Sequence, residues 1–214
     1  MSSTRVVFVV DDDASFRTAV TRMLTAAGLA VQSFASASEL LTHVCGHAIE
    51  GPGCVLADLR MPGLDGLQLQ QACAGSGVGL PFVFLTGQGD VPSAVSAMRH
   101  GAIDFLDKCA PQPVLLAAIE RALESDASTR ASRARRAQLE ERFSALTQRE
   151  SEVLAQVVHG RMNKQIAAAL GIHERTVKLH RSAITTKLGV RSVAELTSLT
   201  RQIGRFEEPQ RPCP

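Results

Sequence analysis

Tryptophan and tyrosine are absent from this sequence, and phenylalanine occurs only eight times in 214 residues. This argues against a nucleic-acid reader that stacks bases on aromatic side chains. Long hydrophobic runs are also missing. The unbroken runs, such as Val6–Val10 and Phe82–Leu85, fall far below the roughly 20 apolar residues of a membrane-spanning helix. No membrane is therefore expected among the partners. Val6–Val10 is likewise too short for a signal-peptide core, and no small-residue cleavage site follows it. A cytoplasmic location is expected. The five cysteines (Cys45, Cys54, Cys73, Cys109, Cys213) are scattered without a C-x-x-C pair. That pattern suits reduced thiols and not a disulfide framework or a zinc site.

With 45% hydrophobic and 21% charged residues, the chain can build a packed core, which excludes a disordered or fibrous class. Its formal charge of +2 conceals two halves of opposite sign. Residues 1–124 carry seven Lys and Arg against twelve Asp and Glu, whereas residues 125–214 carry sixteen against nine. Such asymmetry points to an acidic module joined to one that binds nucleic acid or an anionic surface. Two ordinary domains with different surfaces would look the same by charge alone. The changeover falls in a Ser/Ala/Arg-rich stretch, 125–136, without Gly or Pro. This reads as a helical linker continuing the preceding helix.

The acidic half alternates strand and helix. Val6–Val10 is a β-branched run ended by carboxylates and reads as a buried strand. A helical pattern over 14–27 follows, with Gly28 as its C-cap. Strands are expected near 30–34, 54–57, 82–85 and 103–106. Helices are expected after Ser36-x-x-Glu39, near 65–74, 92–100 and 113–123. Five such repeats in about 120 residues indicate a doubly wound parallel sheet, flavodoxin-like, in the order 2-1-3-4-5.

In such sheets the functional residues lie beyond the carboxyl ends of the strands. Here those positions hold Asp11, Asp12 and Asp13, then Asp58, then Thr86, then Lys108. Each alone has an ordinary explanation: a helix N-cap, a turn hydroxyl, a surface lysine. Together they converge on one mouth. Carboxylates about 4 Å apart repel by roughly 4 kcal/mol at an effective dielectric of 20, so a cation belongs among them. Hard oxygen ligands suit Mg²⁺, which also bridges to phosphate oxygens. An aspartate can be the nucleophile that forms an aspartyl-phosphate. Lys108 and the Thr86 hydroxyl are placed to stabilise the transferred group.

Val9-Val10-Asp11-Asp12-Asp13, Ala57-Asp58-Leu59-Arg60-Met61-Pro62-Gly63, Leu85-Thr86-Gly87 and Asp104-Phe105-Leu106-Asp107-Lys108 resemble a response-regulator receiver domain over residues 4–124. The resemblance implies Asp58 as phospho-acceptor. It implies Mg²⁺ (or Mn²⁺) held by Asp12, Asp58 and the backbone carbonyl of Arg60, with Asp11 acting through a water. Thr86 and Phe105 would form a coupled switch pair. One position departs from the pattern, because receivers usually carry proline after the lysine, often on a cis bond, and this chain has Cys109. A cis bond there would cost about 2.5–4 kcal/mol, so a trans bond is expected. The departure also keeps open a phosphorylation-independent regulator with a degenerate receiver.

The basic half carries a second pattern. Thr147-x-x-Glu150 is a capping box that opens a helix with Val153, Leu154, Val157 and Val158 at core spacing. Asn163 is expected to cap a short helix over 164–170, and Gly171 makes a turn. A basic helix over 174–188 follows, with Val177, Ile184 and Leu188 inward. Residues 143–206 hold ten Lys and Arg against four Glu. A solvated amphipathic helix in a small bundle is the plain alternative. The segments Leu146-Thr147-x-Arg149-Glu150-x-Glu152-Val153-Leu154, Asn163-Lys164-Gln165-Ile166-Ala167 and Arg175-Thr176-Val177-Lys178-Leu179-His180-Arg181 resemble a LuxR-type helix-turn-helix domain over 143–203. With the receiver, this resembles the NarL/FixJ class of response regulators, in its branch of StyR-, TodT- and FixJ-like members.

By that resemblance Lys178, Leu179 and Ser182 would face base edges. Asn163, Lys164, Thr176, His180, Arg181 and Lys187 would hold phosphates. His173 stands where Ser or Asp often caps the recognition helix, a loss of about 1 kcal/mol. The expected organisation is a receiver over 1–124, a helical linker over 125–142, an all-α four-helix DNA-binding domain over 143–206 and a disordered tail over 207–214. The implied function is a two-component regulator, not an enzyme. A sensor histidine kinase would phosphorylate it, a homodimer would form on activation, and double-stranded promoter DNA would be bound. Contact with RNA polymerase, activation of transcription and control of aromatic-compound catabolism are further implications. An aspartate-nucleophile phosphatase shares the α/β plan and Mg²⁺. It would want its nucleophile after the first strand and a cap domain for which this chain has no room.

Overall fold

A computed structural model describes residues 5–87 and 91–204, and the chain divides into two compact units meeting between Ala131 and Ser132. In the first, a five-stranded parallel sheet runs in the order β2-β1-β3-β4-β5, as the repeat pattern predicts. Its strands are β1 (Val6–Val10), β2 (Ala30–Phe34), β3 (Gly53–Asp58), β4 (Phe82–Thr86) and β5 (Asp104–Asp107). The three central strands are buried throughout. The edge strands β2 and β5 are only half-covered. The strand expected at 103–106 lies one residue later, and β3 and β4 extend to include Asp58 and Thr86. Those two polar residues are thereby fixed by strand pairing, Asp58 opposite Leu85 and Thr86 opposite Asp107.

The helices α1 (Ala14–Ala26), α2 (Ala37–Gly46), α3 (Gly66–Gly75), α4 (Val91–Arg99) and α5 (Gln112–Ser144) cover the sheet's two faces. One face buries Phe8, Val55, Phe82 and Phe84 under α2 and α3. The other buries Val7, Val9, Leu56 and Val83 under α1 and the start of α5. Ser36 caps α2 through the Glu39 N–H, but the Glu39 carboxylate reaches the N–H of Ala35, not that of Ser36. Cys54 and Cys73 are buried core thiols, and burial pushes them up to about 12 and about 11, respectively. Among the described cysteines, Cys45, Cys54, Cys73 and Cys109 are free thiols.

The stretch expected as a helical linker belongs to α5, which runs unbroken to Ser144. Its residues Asp126 and Arg130 are tied to the first unit. The Asp126 carboxylate accepts from the Gly53 N–H at 2.8 Å and from Arg130 Nε at 2.6 Å, while Arg130 Nη1 donates to the Ile49 carbonyl. Farther along, Leu139 and Phe143 enter the core of the second unit.

That unit adds α6 (Gln148–Val158), α7 (Asn163–Leu170), α8 (Glu174–Leu188) and α9 (Val193–Gln202) around Leu154, Ile166, Val177, Ile184 and Leu196. The Thr147/Glu150 capping box forms in both directions. Between α7 and α8 the chain turns at Gly171 with φ of 64°, a left-handed conformation that costs other residues about 1–2 kcal/mol. Asn163 does not cap α7. It is the helix's first residue, and its side chain instead accepts from Arg181 Nη1 at 2.8 Å. His173 stands at the α8 N-cap without a capping side-chain bond, as expected. The tail over 207–214 lies outside the described residues.

Candidate phospho-acceptor site and nucleic-acid interface

The carboxyl ends of β1, β3, β4 and β5 bring Asp11, Asp58, Thr86 and Lys108 together. Asp11, Asp58 and Thr86 are buried and Asp12 is exposed. A ligand oxygen from each of Asp11, Asp12 and Asp58 lies within 4.8 Å of the others. Asp13, third of the acidic run, does different work. It caps α1, accepting from the N–H groups of Ser15 and Phe16. The ordinary explanation thus holds for one aspartate of the three.

Lys108 Nζ is 2.7 Å from Asp11 Oδ2 and 2.7 Å from Asp58 Oδ2. Its placement comes from the backbone: the Lys108 N–H donates to the Thr86 carbonyl, and the Cys109 N–H donates to Asp107 Oδ1 at 2.7 Å. A proline at position 109 has no N–H to make that second bond. The Lys108–Cys109 peptide is trans, and the lysine reaches both carboxylates. Burial pushes the Asp11 carboxyl above its ordinary value, against the pull of Lys108 and the Asp13 N–H. Burial would lower the Lys108 ammonium, but its hydrogen bonds to Asp11 and Asp58 outweigh that and hold it raised.

The donor set fits a hard divalent cation: three clustered carboxylates, two of them buried, with the Lys108 ammonium paired to those two. Asp58 Oδ1 accepts from the Arg60 N–H at 3.2 Å, so the backbone after β3 folds back over the acceptor. Phe105 lies on β5 opposite Phe84, half-buried, with ring centroids 6.3 Å apart. Two contributors escaped the sequence reading. Phe16 lies beneath the Lys108 ammonium. Gly66 presses against the end of β3, and a Cβ there would sit 2.4 Å from the Asp58 carbonyl oxygen. Neither carries a signal in sequence beyond its proximity to the acidic run and to the Met61-Pro62-Gly63 turn.

In the second unit, Val177, Ile184 and Leu188 point α8 inward and leave Arg175, Lys178, Leu179, Ser182 and Thr186 on its open side. Leu179 is 65% exposed on this face. Thr176, His180 and Arg181 flank this face half-buried, and Lys164 is exposed on α7. Arg181 is steered by Asn163. Lys187 Nζ donates to Glu150 Oε2 at 2.7 Å and to the Ala145 carbonyl, so a phosphate contact from it would have to exchange that pair.

This fold and cluster define a receiver domain followed by a helix-turn-helix domain, and comparison with known proteins agrees. Residues 7–120 match the model of the response regulator receiver domain, and residues 144–200 match that of the bacterial regulatory proteins of the luxR family. Nodulation protein W of Bradyrhizobium diazoefficiens is 39% identical over 203 residues, 95% of this chain and 88% of that protein. Response regulator protein TodT of Pseudomonas putida is 37% identical over 198 residues, 92% and 86% of the two chains. The solved structure of response regulator StyR superposes with a TM-score of 0.84 at 46% identity, covering 93% of this chain and 99% of that one. The chain belongs to the NarL/FixJ-type response regulators, two-component transcription regulators with a LuxR-type DNA-binding domain. It is a transcription regulator. Its receiver implies a kinase partner and its second domain implies DNA. Among the described residues no helix is long and apolar enough to cross a membrane.

Proposed function

We propose that this chain is switched by phosphorylation of Asp58 and, once phosphorylated, dimerises and binds promoter DNA to activate transcription. The observation that carries this reading is the pairing of a single lysine with two buried aspartates at the strand ends. The donor is a phosphohistidine of a sensor kinase. An Asp58 oxygen attacks phosphorus, the P–N bond breaks, and the imidazole leaves with the electron pair. Lys108 exchanges its bond with Asp58 for one with a phosphoryl oxygen, and the Thr86 hydroxyl donates to another. Asp12, Asp58 and the Arg60 carbonyl would hold Mg²⁺ or Mn²⁺, with Asp11 acting through a water. When bound, that ion supplies the charge neutralisation that lets a phosphoryl donor approach three carboxylates.

The movement of Thr86 draws the Phe105 ring inward and alters the face made by α4 and β5. On α4, Val91, Val95 and Met98 are exposed at helical spacing, an apolar stripe suited to a second copy. In the DNA complex Lys178, Leu179 and Ser182 read base edges, while Asn163, Lys164, Thr176, His180 and Arg181 hold phosphates. The place of action is the cytoplasm, with RNA polymerase as a further contact. Control of aromatic-compound catabolism follows only from the likeness to StyR and TodT. The experiment is DNA binding and sedimentation of the wild type and Asp58→Ala with and without acetyl phosphate and Mg²⁺. Dimerisation and tighter binding of the wild type alone are expected. An Asp58→Ala chain that dimerises and binds like the treated wild type would favour phosphorylation-independent control.

A further inference from the structure

The ammonium of Lys108 stands 4.5 Å from the centroid of the Phe16 ring, over its face. That is within the roughly 6 Å over which a ring face attracts a cation. Phe16 belongs to the first turn of α1, and Asp13 caps its N–H. The acidic loop that delivers Asp11 and Asp12 therefore also sets the ring beneath the lysine. On the other side, the Thr86 carbonyl and the Asp107 carboxylate hold the lysine's own loop. Lys108 is thus gripped at its backbone by β4 and β5, and at its charge by two carboxylates and one ring.

We propose that Phe16 is a positioning residue for Lys108, keeping the ammonium at the site while its hydrogen bond passes from Asp58 to the incoming phosphoryl group. This rests on the reading of Asp58 as phospho-acceptor. With acetyl phosphate as donor, an Asp58 oxygen attacks phosphorus, the bond to the acetate oxygen breaks, and acetate leaves with the electron pair. No proton is transferred at the aspartate. Asp58 loses its charge in that step and its hold on Lys108 weakens, while negative charge on the phosphoryl oxygens calls for the same cation nearby. A hydrogen bond to one carboxylate oxygen is directional and is given up in the exchange. Attraction to a ring face is aimed at no single lone pair and persists through it.

The test follows phosphoryl gain by intact mass, in full-length protein with Mg²⁺, across acetyl phosphate concentrations. Phe16→Leu should slow the rate at saturating donor by about threefold to tenfold, a cation–π loss expressed as a rate. The half-saturating donor concentration should stay near that of the wild type, and Phe16→Tyr should restore the rate. In a Lys108→Ala background, Phe16→Leu should cause no further slowing. Independently, the ε-methylene protons of Lys108 should resonate upfield in the wild type and move downfield in Phe16→Leu, with neither metal nor donor present. Phe16→Met, which keeps bulk without a ring face, replaces Phe16→Leu if the latter lowers the melting temperature. Equal slowing in both backgrounds, or no slowing at all, would overturn the inference while leaving Asp58 as acceptor. A wild type that gains no phosphoryl group would overturn both.

Discussion

Gly66 is a position where the site leaves no space for a side chain. A Cβ would lie 2.4 Å from the Asp58 carbonyl and 3.0 Å from the Phe84 ring, so α3 approaches β3 only through a glycine. Gly66→Ala should cost about 1–3 kcal/mol through overpacking, read as a lowered thermal midpoint. It should also slow phosphoryl gain, because the residue displaced is the acceptor itself. An alanine variant with wild-type stability and rate would show that the end of β3 is softer than described. The acidic residues were legible in sequence because they stand at or just beyond the ends of strands. Gly66 and Phe16 were not, because their roles depend on what α3 and α1 meet after folding. Asp13 shows the same limit: the run Asp11-Asp12-Asp13 does not say which carboxylate is a cap.

At the scale of elements, the helix starts were the most legible features and the side-chain partners the least. The Thr147/Glu150 box appears in sequence and forms in full. That Lys187 would reach back 37 positions to the same Glu150 could not be read from spacing. The hydrogen bond from Lys187, then that from the Thr147 N–H, hold the Glu150 carboxyl below its ordinary value of 4.5. A carboxylate lowered on folding stabilises the folded chain above its unfolded value, and that stability is lost as pH falls through the folded one. The melting temperature of the helix-turn-helix unit in the full chain should therefore drop below about pH 4.5. Glu150→Gln should remove most of that unit's dependence in this window at a cost of about 1 kcal/mol at neutral pH. Circular dichroism melts at pH 3.5–7 check this. An unchanged pH profile in the variant would contradict the role given to Glu150.

At the scale of the molecule, the opposed charges of the two halves were visible before any fold, and so was the joining helix. What the sequence did not show is that α5 is fastened by Asp126 and Arg130, midway along it, to the first unit, and by Leu139 and Phe143, near its end, to the core of the second. For DNA binding, Lys164→Ala should weaken all sequences alike and reduce the slope of log affinity against log salt by about 0.9. Lys178→Ala should instead relax sequence preference, by about 1–3 kcal/mol at the base it reads. Anisotropy titrations over a salt series separate the two. A Lys164→Ala chain that loses sequence preference would reverse these assignments. Whether Asp58 accepts a phosphoryl group despite the cysteine after Lys108 is read by intact-mass spectrometry of the wild type and Asp58→Ala after acetyl phosphate, with and without Mg²⁺. A gain of one phosphoryl group is expected in the wild type with Mg²⁺ only. A wild type that gains none, or an Asp58→Ala chain that gains the same mass, would contradict it.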